Sequence, residues 1–378
     1  MSSSMAKRLF AVLNRLIPKD SRRVVFCSFP DFSDNAQALY LYMMEHPMAD
    51  RSTRFVWLAD HPQRISLPAG RVIKRRSIRG VWQYMRSKYV FHTHGLFGNT
   101  TVPGQMVVSL WHGMPLKTIM HLDKAHADAP PFQFTYTLST SPLFQDIMCR
   151  AFDCPAERCL ITGLPRNDLL FSPLSLHQFF PQELPEWDRM VLWMPTYRKS
   201  VIGDIREDGN AQNAGMGFLT SEDWPRLNEH LARQRTLLFI KLHPMQDRAV
   251  FPDLDYPYIR TIREISAPLY SLVGCADALL TDYSSVYIDY LLLNRPIGFV
   301  TEDLDTYRDK RGFVFEDPHR VMPGPFIRSY AELTGFLDDL AAGVDRFREE
   351  RENLTQRFHT FNDSNSCTRL LREIGWLL

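Results

Sequence analysis

ADALLTDYSSVYIDYLLLNRPIGFV, residues Ala276–Val300, passes from an apolar run through an acid, two adjacent hydroxyls and a second acid into another apolar run. Val286, Ile288, Tyr290, Leu291, Leu292 and Leu293 can cover the inner side of a short helix, which must stop near Asn294 because Arg295 precedes Pro296. The stretch therefore reads as strand, helix, strand. The same alternation recurs outward through RVVFCSF, RFVWLAD, YVFHTHG, MVVSLWHG, CLITGLP, MVLWMPTYR and TLLFIKLHP, each separated from the next by helical sequence. These runs are near-continuous in Val, Ile, Leu and Phe, as in strands covered on both faces, so the fold class is α/β with parallel sheets.

A chain of 378 residues with 45% hydrophobic content exceeds the usual ceiling for one domain, so two Rossmann-like lobes are expected. The pattern breaks at FSPLSLHQFFPQELPEWD (Phe171–Asp188), where prolines interrupt any regular element. The expected division is a first lobe over 1–175, a second over 185–345, and a helical segment over 346–378 that packs back on the first. SVIGDIREDGNAQNAGMGF (Ser200–Phe218), rich in Gly, Asn and Asp, reads as a mobile loop above a site.

The formal charge of +1, from 44 basic and 43 acidic residues, argues against nucleic acid as partner, because that would need a broad basic face. Cys149, Cys154 and Cys159 recur at equal intervals that match neither a zinc knuckle nor a paired disulfide framework, and the cysteines read as reduced thiols. No apolar run reaches the roughly 20 residues that cross a bilayer, and no secretory leader is visible, so a cytoplasmic protein is expected. In MAKRLFAVLNRLIPKDSRR (Met5–Arg23) apolar residues recur at helical spacing with Lys7, Arg8 and Arg15 between them. Such a helix can pack on its own domain or lie peripherally on an anionic membrane at its inner face.

In open parallel sheets ligands bind beyond the carboxyl ends of the strands. Those ends carry Trp111 and His112; Thr196 and Arg198; Lys241 and His243; and Asp282, Ser284 and Ser285. The first N–H groups of the helix after Ser284 and Ser285 lack internal partners and can receive a phosphate. Asp289, one turn deeper, could accept hydroxyls of ribose or a polyol, and Asp282 could brace the turn. Arg198, Lys241 and His243 would form the cationic side of a diphosphate clamp, with His112 facing it from the other lobe as proton acceptor. GxxxxGK[ST] and GxGxxG are both missing, which removes the P-loop NTPase and dinucleotide dehydrogenase readings. No DxD-type carboxylate pair marks a strand end, so neither a metal nor another cofactor is called for.

Together, SLWHGMPLKTI, TGLPRNDLL, WMPTYR, KLHP and TDYSSVYIDYLLLNRPIGF, with an early FPDFSDNAQALY, resemble the CDP-glycerol glycerophosphotransferase family of teichoic-acid and capsule polymer synthesis, over roughly Phe26 to Phe315. The resemblance implies a glycosyltransferase-B-like fold whose second lobe binds a CDP-alcohol, CDP-glycerol or CDP-ribitol. The first lobe would present a polyol-phosphate, glycan or lipid-linked acceptor, and CMP would be released. It implies His112 and His243 as catalytic, the latter with Arg198 on the diphosphate, Ser284, Ser285 and Asp289 in the donor site and Arg311 near it; Lys241, Thr196 and Asp282 are expected beside them on the donor, and Trp111, Gly113 and Lys117 with His112 on the acceptor side. Met114 stands where the family usually has threonine, which removes a hydroxyl beside the base. The chain also lacks the long N-terminal region of the larger polymerising members, which favours a short-product or capsule-type enzyme.

Three other readings use the same residues. A nucleotide-sugar transferase or epimerase would employ a similar clamp, a metal-dependent hydrolase would use His92, His94 and His112, and a binding module would keep the Ser284 region without needing His112.

Overall fold

The computed structural model describes residues 3–46, 52–97, 101–127, 132–180, 182–196, 217–242, 253–265, 267–301, 304, 308 and 312–377. In the first lobe β1 (Asp20–Cys27), β2 (Arg54–Ala59), β3 (Arg71–Lys74), β4 (Ser87–His92), β5 (Met106–Ser109), β6 (Tyr136–Ser139) and β7 (Cys159–Ile161) form a sheet in the order β3-β2-β1-β4-β5-β6-β7. In the second, β8 (Arg189–Met194), β9 (Thr236–Lys241), β10 (Ile259–Ile262), β11 (Ala278–Thr281), β12 (Ile297–Val300) and β13 (Phe326–Ile327) are ordered β10-β9-β8-β11-β12-β13. Every ladder between these strands is parallel. The central strands are apolar on both faces because both faces are covered: Val24, Val25, Phe26, Val191, Leu192 and Trp193 are all fully buried.

Strand order reverses between β1 and β4 in one sheet and between β8 and β11 in the other, and at such a reversal the flanking loops diverge and leave a crevice. The two crevices face one cleft of about 1120 Å³, lined from both lobes. The result is a glycosyltransferase-B-like pair of Rossmann-like lobes. In the stretch that opens the sequence analysis, β11 and β12 pair directly, and the intervening helix is one turn, Val286–Tyr290, extended by a 3₁₀ turn over Leu291–Leu293. It ends at Asn294, whose φ of 47° is a left-handed cap that asparagine tolerates.

The chain crosses between sheets after β7 through a buried 3₁₀ segment, Pro165–Phe171, and a short helix, Leu176–Phe179. It crosses back at its end. Helix Arg348–Phe358 lies against the 3₁₀ turn of the second lobe and the first-lobe helix Pro142–Phe152. The Thr140 hydroxyl then donates to the Phe358 carbonyl at 2.6 Å, and Trp376 packs edge-on against Tyr89 with centroids 4.6 Å apart. Helix Ser366–Glu373 is held at its start by Asp168, whose carboxylate accepts the N–H groups of Ser366 and Cys367 at 2.9 Å each. The Ser200–Phe218 loop lies outside the described residues up to position 216.

Asp168→Asn keeps the shape of that cap and removes one acceptor oxygen, leaving a buried N–H without its partner. Urea unfolding of the purified variant is expected to show a loss of roughly 1–3 kcal/mol; an unchanged midpoint would mean that the cap contributes nothing.

Candidate active site

β5 ends at Ser109, and the chain must leave the core within a few residues to reach the cleft. Trp111 takes a left-handed φ of 53°, and Gly113 follows at φ 125°. Between them the backbone turns sharply and His112 is placed at the cleft wall. Asn35, fully buried at the start of helix Asp34–Glu45, fixes this turn by donating to the carbonyls of Leu110 and Trp111 at 3.2 and 3.0 Å. The His112 ring stacks on His94, 4.1 Å away and nearly parallel. Its Nδ1 lies 3.4 Å from the Thr93 carbonyl, which can only accept, so the proton belongs on Nδ1 and the lone pair on Nε2. Burial, opposed by the Thr93 carbonyl and aided by the Arg166 guanidinium, lowers the His112 pKa to about 4.

On the facing side, β8 and β11 are tied at their carboxyl ends. The Thr281 hydroxyl donates to the Met194 carbonyl at 2.8 Å, and the Thr196 N–H reaches both Asp282 oxygens at 3.1 and 3.0 Å while its hydroxyl donates to the same carboxylate. Ser284 and Ser285 are half-buried on the cleft wall, and the Ser284 hydroxyl accepts from Val286 N–H at 3.4 Å. Lys241 also lines the cleft, its ammonium donating to the carbonyls of Leu242 and Arg263 at 2.9 and 2.7 Å; burial lowers its pKa to about 8.

The two walls meet. A Cβ on Gly113 would lie 2.5 Å from Arg166 Nη2 and 2.7 Å from Ser285 Oγ, so only glycine fits between the His112 turn and the second lobe. Arg166 donates to Asp34 at 2.8 Å and to the His112 carbonyl at 3.0 Å through Nη1, and to Asp289 at 2.6 Å through Nη2. A backbone seam adds to this: Val314 N–H donates to the Leu116 carbonyl at 2.9 Å and Thr118 N–H to that of Gly312 at 3.2 Å, with Lys117 opposite Phe313.

Several sequence expectations need correction. Asp289 does not face the cleft. It is fully buried, and its oxygens accept from Arg166, from Asn167 at 3.1 Å and from the Tyr270 hydroxyl at 2.5 Å, so it is closed off from a ribose in the cleft. Asp282, 1% exposed, braces Thr196 instead of meeting the donor. Trp111 packs edge-on against Phe152 at 4.8 Å and serves the core beneath His112, and Met114 is likewise fully buried apolar packing. The helix after Ser285 has five residues, so its macrodipole is small and any anion there relies on individual N–H and O–H groups. Arg198, His243 and Arg311 lie outside the described residues.

His92, His94 and His112 do not converge as metal ligands. The last two are stacked, and His92 is buried with Nδ1 accepting from Gly95 N–H at 3.0 Å. Among the described residues no cluster of three His, Cys, Asp or Glu side chains could hold a metal ion.

Residues 9–375 match the family described as CDP-Glycerol:Poly(glycerophosphate) glycerophosphotransferase. The chain belongs to this family. A teichoic acid glycerol-phosphate transferase of Staphylococcus aureus is 25% identical over 97% of this chain and 95% of its own length. A teichoic acid glycerol-phosphate primase of Bacillus spizizenii is 26% identical over 79% of this chain and 76% of the primase. Among solved structures, that of the wall teichoic acid polymerase TagF shares the fold, with a TM-score of 0.77 and 21% identity over 98% of this chain and 92% of the other. The family activity, transfer of a polyol phosphate from a CDP-linked donor to an acceptor hydroxyl with release of CMP, takes precedence over the epimerase and sugar-transferase readings.

Within this glycerophosphotransferase, Asp34, Asn35, Arg166, Asn167 and Tyr270 are site residues that sequence reasoning did not assign. The first four sit in FSDN and PRND, inside two of the stretches that carry the family resemblance. Their signal was a polar cluster that local structure did not require. Gly113→Ala is expected to lose most transfer activity and to lower the melting temperature, because the added methyl must displace Arg166 or Ser285 while adopting a strained φ. Normal activity and melting in that variant would contradict the packing described.

Proposed function

We propose that an acceptor hydroxyl attacks the β-phosphorus of CDP-glycerol in this cleft, with His112 Nε2 taking its proton. The new P–O bond forms as the bond from the β-phosphorus to the bridging oxygen breaks, and that oxygen leaves with its electron pair on CMP. The proton on His112 returns to solvent. The observation that supports this reading is the approach of Gly113, next to His112, to Ser285 of the second lobe, with His112, Ser284 and Ser285 lining one cleft. Arg198 and His243, with Lys241, are proposed to hold the diphosphate, and Arg311 to flank it. CMP is already a good leaving group, so charge stabilisation matters there more than protonation. Lys117, on the cleft wall, is proposed on the acceptor side, and the transfer is proposed to run without a metal or other cofactor.

His112→Ala is expected to slow CMP release by about 10² to 10⁴, with CDP-glycerol affinity retained by calorimetry. Near-normal turnover would remove the base. A base must be neutral to act, and His112 ionises near pH 4 instead of 6.5, so kcat/KM should hold through pH 6 and fall only as pH approaches 4. An acid limb centred on 6.5 would place His112 in a different environment.

The acceptor class favoured is lipid-linked, because helix Ser3–Leu16 carries an unpartnered apolar face. Phe10 packs on Tyr84 and Phe97, and Asn14 is fully buried against Gln105, while Leu9, Val12, Leu13 and Leu16 are 46–73% exposed. On the neighbouring helix Ile78–Arg86, Ile78 and Trp82 are exposed as well, and Arg8, Arg15 and Arg79 lie exposed among them. Apolar side chains ringed by guanidinium groups suit a peripheral contact with an anionic membrane. No described helix is long and apolar enough to cross one. Flotation with vesicles containing phosphatidylglycerol should carry the protein upward, and L13E/L16E should abolish this; equal binding by both proteins would refute the surface.

A further inference from the structure

Arg166 joins the two lobes through its guanidinium. Its guanidinium is almost wholly removed from water and meets a carboxylate from each lobe, and its aromatic support is the Tyr270 ring at 4.5 Å. Its Nε–H has no partner in the described structure. Leaving a buried donor unpaired is unfavourable, so the side chain is held by the contacts of its two terminal nitrogens and has no freedom to improve the third. The backbone around it is equally fixed, because the Arg166 N–H donates to Asn35 Oδ1 at 3.0 Å, the same Asn35 that holds the Trp111 carbonyl. Asp289, at the other end, is held on the second-lobe side by the Tyr270 hydroxyl and also accepts from Asn167, the residue after Arg166, so the segment grips it through two neighbouring side chains.

We propose that Arg166 is a positioning residue for transfer: by joining Asp34 and the His112 carbonyl to Asp289, it fixes the separation between the base and the donor-binding wall. The proposal rests on His112 as base. A planar fork suits this task, since its nitrogens reach acceptors in different directions at once, which the single ammonium of lysine does not. Arg166 also sets the charge around the imidazole. The groups facing it are the Thr93 carbonyl at Nδ1, the His94 ring stacked on its face, the Trp111 ring 4.0 Å away and the Arg166 guanidinium, which is itself paired with Asp34 and Asp289; Asp34, Arg75 and Arg166 act in turn on His94.

The test compares Arg166→Lys with the double variant Arg166→Gln/Asp289→Asn, in which the fully buried Asp289 is not left without its counter-charge, while Asp34, which keeps some contact with water, retains its charge. CMP release from CDP-glycerol is followed with a lipid-linked glycerol phosphate primer across pH 4–8. The double variant should lose about 10² in kcat, as expected for a misplaced reacting group, with donor KM little changed. The acid limb of kcat/KM should move to higher pH, because the cation that opposes imidazolium formation is gone. Arg166→Lys should lose kcat and keep the acid limb in place. Wild-type kcat in the folded double variant, or a loss of kcat without movement of the acid limb, overturns the proposal. If the double variant does not fold, Asp289→Asn alone carries the test: its kcat should fall, and an unchanged kcat overturns the proposal. Full turnover in His112→Ala would instead remove the base itself, whatever Arg166 does.

Discussion

A guanidinium taken out of water demands negative charge on every side from which it can be reached, and here that demand falls on both halves of the protein at once. Arg166 binds Asp34 in the first lobe and Asp289 in the second, so separating the lobes would break the pair with Asp289 and leave that carboxylate without its cation. The geometry of the cleft follows from this pair. Asn35 and Gly113 are arranged about the same guanidinium, the first through the Arg166 N–H and the second by leaving room for Nη2. The seam between Leu116–Thr118 and Gly312–Val314 then closes the lobes from the side with ordinary backbone hydrogen bonds.

Division of labour between the lobes has a simple physical origin. Each sheet leaves a crevice where its strand order reverses, and the residues at those points are polar because nothing apolar covers them. In the second lobe Asp282 spends its charge on Thr196, which keeps the ends of β8 and β11 rigid and leaves hydroxyls and amides toward the cleft. In the first, burial and a neighbouring guanidinium keep the imidazole neutral, the state in which it can accept a proton.

Much of this could be read from the sequence, and the failures share a cause. The long apolar strands β1, β2, β4, β8 and β9 announce themselves because central parallel strands are buried on both faces. β3, β10 and β13 sit at sheet edges, and their sequences RVIK, IRTI and FI, the first two partly polar and the last only two residues long, carry no such signal. Strand ends identify His112, Ser284 and Ser285 as rim residues, since a polar residue after an apolar run has few other places to go. Asp289 was misplaced because helical spacing gives the face of a residue and not the identity of what packs on that face. Its true partners, Arg166 and Tyr270, come from distant segments, and no local pattern joins them.

The return of helix Ser366–Glu373 to the first lobe bears on how the molecule is made. The first lobe draws its Trp376 contact on Tyr89 and its Asp168 cap from residues that leave the ribosome long after its own strands. During synthesis that lobe must wait, with part of its surface uncovered, until the second has been produced. The first lobe is then completed by helix Ser366–Glu373, which settles on Tyr42 and Asp168.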